Sequence, residues 1–309
     1  METIKLRNGV QVPVLGYGVY QVTPDECERC VSDALSLGYR HIDTAQSYFN
    51  EEQVGNAIRK SGIPREELFI TSKVWIEHFG YEQTHASVLE SLRKLQTEYI
   101  DLMLLHQPFG DAYGAWRALE ELYQEGRLRA IGISNFYADR MVEFCQFACN
   151  DWTRQDGTVI KGVRPMVNQV EIHPYHQQQE LVGWMQKYNI VPEAWAPLGE
   201  GRDNLFHDET LLAIAQRHGK SLHQVVLRWH VQRGILVFPM SRNKAHMTDN
   251  LNIFDFQLTD DEMQQIAQVD KGRSVFFSHQ DPAIVEWFGQ MVEERKKKGH
   301  KPGNEKKAW

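Results

Sequence analysis

The chain has 309 residues, of which 42% are apolar and 24% charged, and its formal net charge is −7. This length allows one large domain or two smaller ones. The acidic balance argues against a nucleic-acid binder, because such proteins need a clustered basic surface. No apolar run reaches the roughly 20 residues of a membrane span, and the opening METIKLRNGVQVPVLG lacks the features of a signal peptide. We therefore expect a cytoplasmic protein with neither nucleic-acid nor membrane partners.

Short apolar runs typical of β-strands alternate with amphipathic, helix-like stretches along almost the whole sequence. A β-hairpin with its turn at Asn8-Gly9 comes first. The predicted strands then lie at 14–18, 39–43, 68–73, 100–106, 128–134, 166–171, 190–195 and 235–239. The predicted helices lie at 24–37, 51–61, 81–95, 112–125, 138–149, 178–188, 208–232 and 244–252. This alternation indicates βαβ units and a parallel sheet.

The number of these units decides between two α/β architectures. Eight units in about 250 residues favour a closed (β/α)8 TIM barrel with an N-terminal β-hairpin. An open Rossmann sheet would carry G-x-G-x-x-G after its first strand, whereas the stretch LGYGVYQ offers only Gly16 and Gly18. We therefore predict one catalytic domain over 1–309, with the barrel itself at about 1–290.

Two segments depart from the regular alternation. The polar insertion at about 150–165, with Asp156-Gly157 as its turn, predicts a small hairpin between the fifth helix and the sixth strand. It would lie at the end of the barrel opposite the active site. The basic stretch at about 295–309 predicts a solvated tail, with an interaction arm as the alternative.

Four cysteines form two closely spaced pairs, Cys27 with Cys30 and Cys145 with Cys149. Spacings of this kind occur among zinc ligands. However, the pairs fall on the first and fifth predicted helices, which lie on opposite sides of an eight-fold ring. We therefore predict no metal site, and a reducing cytoplasm disfavours disulfides.

Polar residues follow the predicted strands at the end of the barrel where TIM-barrel enzymes carry their active sites. Asp43 ends the second strand, and Tyr48 lies in the loop after it. Lys73 ends the third strand and His106 the fourth. The later strands end in a hydroxyl, amides and a flat aromatic ring: Ser134, Asn135, Asn168, Gln169 and Trp195.

The first four of these side chains suit proton donation to a carbonyl oxygen. A free phenol has a pKa near ~10, and a nearby ammonium group lowers it. Lys73 could therefore lower the pKa of Tyr48, while Asp43 positions Lys73 and His106 orients the substrate oxygen. Each group also has a purely structural explanation, as an ion pair, a buried histidine or a packed tyrosine. Because all four lie on the same rim of the predicted barrel, a catalytic role is favoured over these structural explanations.

The same rim holds no residue that can supply a hydride, so a cofactor has to bring it. The ring of Trp195 could pack against a nicotinamide. Ser134, Asn135 and Gln169 could bind its carboxamide. The strand ends therefore predict a nicotinamide site beside a proton donor.

From about residue 4 to residue 288 the chain resembles the aldo-keto reductase family, and within it the bacterial diketogluconate-reductase-like branch. The stretches that carry this resemblance are GYRHIDTAQSYFNEEQVGNAI (38–58), ITSKVW (70–75), LLHQP (104–108), IGISNF (131–136), VNQVEIHP (167–174) and DPAIVEWF (281–288). The resemblance implies reduction of an aldehyde, ketone or keto acid with NADP(H).

The resemblance also implies roles for individual residues. Asp43, Tyr48, Lys73 and His106 would form the catalytic tetrad, with Tyr48 as the general acid. Tyr20 and Trp75, together with His106, would contact the substrate, and Gln107 stands where many relatives have tryptophan. The implied cofactor-binding residues are Ser134, Asn135, Gln169, Trp195, Leu198, Met240, Ser241, Arg242, Asn243, His246 and Asn250.

The stretch FPMSRNKAHMTDN (238–250) departs from relatives that prefer NADPH. Met240 replaces their lysine and His246 their arginine, although a 2′-phosphate favours Arg or Lys. We therefore expect NADP(H) to be used, and NAD(H) to be used more than is usual in the family. Two other functions remain open: a non-catalytic cofactor-binding barrel subunit, and a phosphate-handling barrel isomerase that would bind phosphate at PLGEGR (197–202).

Overall fold

Twelve strands lie within residues 2–299, the part of the chain described by the structure, which is a computed structural model. The strands are β1 (Thr3–Lys5), β2 (Gln11–Pro13), β3 (Tyr17–Gly18), β4 (His41–Asp43), β5 (Phe69–Val74), β6 (Leu102–Leu105), β7 (Ile131–Ser134), β8 (Trp152–Thr153), β9 (Val159–Ile160), β10 (Val167–Glu171), β11 (Val191–Trp195) and β12 (Leu236–Val237). β1 and β2 form the predicted antiparallel N-terminal hairpin.

Eight of these strands form one parallel sheet in the order β3, β4, β5, β6, β7, β10, β11, β12. Leu15 pairs with Val237 in parallel, so the chain before β3 meets β12 and joins the two edges of the sheet. The side chains of β5 and β6 are all buried, as expected for strands covered by helices on one face and facing the barrel interior on the other. The predicted (β/α)8 barrel is therefore confirmed.

Helices surround the sheet. They are α1 (Pro24–Leu37), α2 (Glu51–Ser61), α3 (Tyr81–Leu95), α4 (Ala112–Gln124), α5 (Ala138–Phe147), α6 (Gln179–Lys187), α7 (Glu209–His218), α8 (Leu222–Gln232), α9 (Lys244–Leu251), α10 (Asp260–Ala267) and α11 (Pro282–Lys297). The bounds predicted for the first three helices agree with the structure. No helix among the described residues is both long and apolar enough to cross a bilayer.

The helix predicted at 208–232 is wrong, because two helices occupy that stretch. α7 ends at Gly219, whose φ of 61° lies in the left-handed region that glycine adopts readily. Ser221 then caps α8 together with Gln224 in a reciprocal pair of hydrogen bonds. Both signals are present in the sequence, and they override the continuous amphipathic pattern.

The prediction of a solvated tail from residue 295 is wrong at its start. Residues 295–297 form the last turn of α11, where basic side chains interact favourably with the helix dipole. The side chain of Arg295 is buried, with only 7% of its surface exposed. Residues 300–309 lie outside the described part of the chain.

The polar insertion forms the predicted hairpin, in which β8 pairs with β9 in antiparallel fashion. Its Trp152 donates a hydrogen bond from Nε1 to Glu120 of α4 at 3.0 Å, which fastens the hairpin to the outside of the barrel. The four cysteines are free thiols: Cys27 and Cys30 lie on α1, Cys145 lies on α5, and Cys149 follows that helix.

Candidate active site

A cavity of about 850 Å³ lies at the carboxyl ends of the barrel strands. The predicted site residues that line it are Tyr20, Asp43, Tyr48, Trp75, His106, Ser134, Asn135, Gln169, Trp195, Leu198, Met240, Ser241, His246 and Asn250. Lys73 lies beneath this surface and is fully buried. Arg242 and Asn243 are not among the described residues that line the cavity. The structure thus brings together the residues predicted to act in catalysis or binding, except these two. Asn168, also singled out at a strand end, lies outside the cavity lining, and its side chain donates to the carbonyl of Phe136 at 2.7 Å.

Asp43 and Lys73 form a buried ion pair between neighbouring strands. Asp43 lies opposite Thr71 in the register of β4 and β5, and Lys73 projects from the same face two residues later. The Nζ atom of Lys73 donates to both carboxylate oxygens of Asp43 at 2.7 Å and to the carbonyl of Thr44 at 3.0 Å. It also lies 3.5 Å from the hydroxyl of Tyr48. The ammonium is therefore fixed directly below the phenol.

The loop after β4 directs Tyr48 back over the barrel mouth. Residues 46–48 form a turn of 3₁₀ helix, and Phe49 follows in the left-handed region with a φ of 58°. The side chain of Asn50 holds this loop, since it accepts from Thr44 at 2.8 Å and donates to the carbonyl of Val19 at 3.0 Å. The ring of Tyr48 lies 5.7 Å from that of His106. The phenol and the imidazole therefore face the same space.

Burial is the main influence on the pKa of Tyr48. It raises this pKa well above 10, and the negative charge of Asp43 acts in the same direction. The sequence-based expectation that Lys73 lowers this pKa below 10 is therefore not met, because burial and the negative charge of Asp43 prevail over the ammonium 3.5 Å away. Tyr48 consequently keeps its proton, as a proton donor must.

His106 is neutral in this environment. Burial lowers its pKa well below 6.5, and the positive charges of Lys73 and Arg295 contribute. Its Nδ1 atom lies 3.4 Å from the hydroxyl of Ser47. Because a neutral imidazole has one donor and one acceptor nitrogen, His106 can offer one hydrogen bond to a substrate oxygen.

A cluster of polar groups follows at the ends of the next strands. The hydroxyl of Ser134 donates to the carbonyl of Gln169 at 2.8 Å, and the two residues are paired in the register of β7 and β10. The side-chain oxygen of Asn135 accepts from Nε1 of Trp195 at 2.8 Å. These bonds fix hydroxyl and amide groups beside a flat, half-buried indole ring. This donor set fits the carboxamide and ring of a nicotinamide.

The far end of the cavity lies at the N-terminus of α9. The hydroxyl of Tyr17 donates to the carbonyl of Ser241 at 2.6 Å and holds the loop in place. Arg242 is turned away, since its guanidinium interacts with Glu26 at 3.4 Å. Lys244 likewise donates to Ser36 at 3.0 Å on α1. At this end the cavity is thus lined by Met240 and His246, and by neither of the neighbouring cations.

Comparison with known proteins identifies the family. The model of the Aldo/keto reductase family matches residues 14–271, which is most of the chain. The chain belongs to the aldo-keto reductase family. The resemblance seen in the sequence motifs is thereby confirmed.

Three relatives illustrate where this aldo-keto reductase stands. A glyoxal reductase of Bacillus subtilis (strain 168) is 44% identical over 276 residues, which cover 89% of this chain and 95% of the relative. A methylglyoxal reductase of Escherichia coli (strain K12) is 38% identical, with 87% and 94% covered. The crystal structure of a Bombyx mori aldo-keto reductase in complex with NADP is 32% identical, covers 92% of this chain and 96% of that one, and has a TM-score of 0.81.

Family membership settles the reaction class. This aldo-keto reductase is an oxidoreductase that reduces carbonyl groups with NAD(P)H. The non-catalytic subunit and the phosphate-handling isomerase are therefore not supported. In this chain the PLGEGR stretch enters an irregular 3₁₀ segment, Gly199–His207, rather than a glycine-rich phosphate loop.

Glu193 is a buried acid of this aldo-keto reductase that sequence reasoning missed. It lies opposite Gln169 in the register of β10 and β11. The side-chain amide of Gln169 donates to Glu193 and also to Asp43 at 3.0 Å. Burial and the nearby charge of Asp43 raise the pKa of Glu193 to about 8. The sequence signal that could have revealed this buried acid is its position within the otherwise apolar stretch VPEAW.

We expect Glu193→Gln to remove a pH-dependent loss of stability. Between the ordinary pKa of 4.5 and about 8, the folded protein retains a proton that the unfolded chain releases. The free energy of unfolding of the wild type therefore falls as pH rises through this window, by up to about 1.4 kcal/mol for each pH unit. In urea denaturation, the free energy of unfolding of the variant minus that of the wild type should therefore increase from pH 5 to pH 7.5.

The exposed Glu66 provides a matched control. Glu66→Gln should differ from the wild type by the same amount at both pH values. An equally constant difference for Glu193→Gln would mean that Glu193 is already ionised in the folded protein, and the prediction would be wrong.

Proposed function

We propose that this aldo-keto reductase reduces small 2-oxoaldehydes such as glyoxal and methylglyoxal, with Tyr48 as the proton donor. The observation that carries the proposal is the geometry around the phenol. A buried ammonium lies 3.5 Å from the hydroxyl of Tyr48, and the neutral imidazole of His106 faces the same space. The names of two relatives, a glyoxal reductase and a methylglyoxal reductase, support the substrate class.

In the proposed reaction, the substrate carbonyl oxygen binds between the hydroxyl of Tyr48 and the imidazole of His106. When bound, the reduced nicotinamide supplies the hydride that the protein lacks. Tyr48 donates its proton as negative charge develops on the substrate oxygen, since an alkoxide is a much stronger base than a phenolate. Lys73 then stabilises the phenolate that remains, and Asp43 holds Lys73 in position.

The remaining residues of the cavity would hold the cofactor. Ser134, Asn135 and Gln169 would bind the carboxamide, and the ring of Trp195 would pack against the nicotinamide. Leu198, Ser241 and Asn250 would contact the rest of the dinucleotide, as they line the same cavity. Because α11 also contributes residues to this cavity, we propose that barrel and C-terminal helix form one catalytic domain.

We propose a relaxed preference between NADPH and NADH. Met240 carries no charge, and its side chain is 39% exposed beside Ser241. His246 offers a 2′-phosphate at most two N–H donors, whereas an arginine would offer a permanent positive charge and five N–H donors arranged in a fork. Arg242 and Lys244 are engaged by Glu26 and α1. The 2′-phosphate therefore contributes little binding energy.

The test measures oxidation of NADPH and NADH separately, with glyoxal, methylglyoxal and propanal as carbonyl substrates. We expect both cofactors to be oxidised, and the 2-oxoaldehydes to have higher kcat/KM than propanal. No oxidation with any carbonyl would contradict the proposed reaction. A preference for propanal would contradict the substrate class alone.

Dissociation constants for the two cofactors test the relaxed preference. A ratio above a thousandfold in favour of NADPH would contradict it. His246→Arg should shift this ratio roughly tenfold toward NADPH, because it adds a charge-assisted hydrogen bond. Lys244→Gln is the control, since the Lys244 side chain bonds to α1, and it should leave the ratio unchanged.

A further inference from the structure

His279 is a buried polar side chain that the proposed reaction does not use. It lies in the segment between α10 and α11, lines the cavity, and is 4% exposed. Neither of its ring nitrogens has a hydrogen-bond partner among the described residues. Buried polar groups nearly always have such partners, and leaving one without a partner is destabilising. A polar group in this position therefore points to a ligand.

The surroundings of His279 are aromatic. Its ring centroid lies 4.8 Å from Phe277, 5.9 Å from Tyr137, and 6.1 Å from both Phe109 and Phe288. The ring is nearly parallel to that of Phe288, at 19°. These contacts fix the orientation of the imidazole through its faces. The two nitrogens lie on the ring edge and take no part in these contacts.

Burial lowers the pKa of His279 to about 3, so its imidazole is neutral at physiological pH. One nitrogen then donates a hydrogen bond and the other accepts one. A hydroxyl group matches this pair, because it can also donate and accept. The chemistry therefore favours an uncharged oxygen as the partner of His279.

A series of ring contacts connects His279 to the reacting centre. Phe288 lies 6.1 Å from His279 and 6.1 Å from Trp75, and Trp75 lies 5.0 Å from His106. All four side chains line the same cavity. His279 therefore lies along the substrate side of the cavity, at the end of this series of contacts that is opposite to the reacting centre.

Trp75 adds a third polar atom to this side of the cavity. Its Nε1–H is buried, and it too has no hydrogen-bond partner within the described residues. The guanidinium of Arg295 lies 5.3 Å from the Trp75 ring, which disfavours a cationic ligand group here. The wall thus combines aromatic faces with a few groups that favour an oxygen.

We propose that His279 binds a second oxygen of the substrate, carried at the far end of a flat apolar body whose carbonyl lies at Tyr48. Aromatic aldehydes with a distal hydroxyl group have this form, and they would be a further substrate class beside the small 2-oxoaldehydes. The inference rests on the proposed function, because Tyr48 must protonate the carbonyl of these substrates too. His279 is then a substrate-binding residue rather than a catalytic one.

The test uses matched aldehydes that differ in one oxygen: 4-(hydroxymethyl)benzaldehyde against 4-ethylbenzaldehyde, and the 3-substituted pair. His279→Phe keeps the aromatic stacking and removes both nitrogens. We expect it to lower kcat/KM for the hydroxymethyl compound of at least one pair roughly tenfold, mainly through KM, and to leave the ethyl compounds unchanged. His279→Gln, which retains a donor and an acceptor, should restore part of the loss.

Met291→Leu is the control, because Met291 lines the cavity and its replacement alters the apolar wall without removing a nitrogen or oxygen atom. It should affect both members of each pair equally. The same result for His279→Phe, or no change at all, would overturn the proposal and leave His279 a packing residue. Failure of the proposed function would give a different result, because the wild type would then oxidise NADPH neither with these aldehydes nor with methylglyoxal.

Discussion

Tyr48→Phe is expected to lower kcat for carbonyl reduction by a factor of about 10² to 10⁴, the usual contribution of a positioned general acid. The substitution removes the only atom of this ring that can donate a proton and leaves its packing against His106 and Tyr20 intact. The dissociation constants of NADPH and NADH should change little. Steady-state oxidation of the cofactor with methylglyoxal measures the first effect, and fluorescence titration measures the second.

Loss of activity alone would not identify the proton donor, so a second tyrosine serves for comparison. Tyr188→Phe removes a hydroxyl that accepts a hydrogen bond from Gln146 at 3.0 Å, beside α6 and outside the cavity. It should retain the kcat of the wild type. If Tyr48→Phe reduces methylglyoxal at an undiminished rate, another group protonates the substrate and the proposed role is wrong.

The position of the site could be predicted because consecutive parallel strands are neighbours in the sheet and place their carboxyl ends side by side. Asp43, Lys73 and His106 lie at the carboxyl ends of three consecutive strands, β4 to β6, that are neighbours in the sheet. Once the alternation of strands and helices indicated a barrel, the ends of these strands had to share one rim. The sequence motifs then indicated the family, and this step required no knowledge of side-chain packing.

Other features depend on contacts that no local pattern reveals. His279 and Arg295 reach the cavity only because α11 and the segment before it pack against the barrel mouth, and the regular helix pattern ended before them. The pKa of Tyr48 is raised first by burial and then by the negative charge of Asp43. Sequence shows the neighbouring charges but not the depth of burial, so the expected sign was wrong.

Glu193 shows the same limit from another side. Its alternation within β11 directs it into the barrel, which a strand pattern can indicate. Its raised pKa, however, results from burial inside the closed barrel and from the charge of Asp43, which lies on a strand 150 residues earlier in the chain. The interior of the barrel therefore holds a carboxylate, an ammonium and a neutral, protonated acid, a combination that depends on closure of the sheet.

A large loss of stability is expected when the ion pair between Asp43 and Lys73 is broken. Lys73→Met should lower the free energy of unfolding by about 3–5 kcal/mol, because it leaves the buried carboxylate of Asp43 without its counter-charge. Asp43→Asn should have a similar cost, since it leaves the fully buried ammonium unpaired. Urea denaturation of the wild type and of both variants measures these changes.

The double variant Asp43→Asn/Lys73→Met separates stability from catalysis. Because it contains no unpaired buried charge, its loss of stability should be clearly smaller than the sum of the two single losses. Its kcat should nevertheless stay as low as that of Lys73→Met, since no positive charge remains to stabilise the phenolate of Tyr48. Additive losses of stability would show that the two charges are not coupled. Recovery of kcat along with stability would show that Lys73 serves only to balance Asp43, and that Tyr48 protonates the substrate without its help.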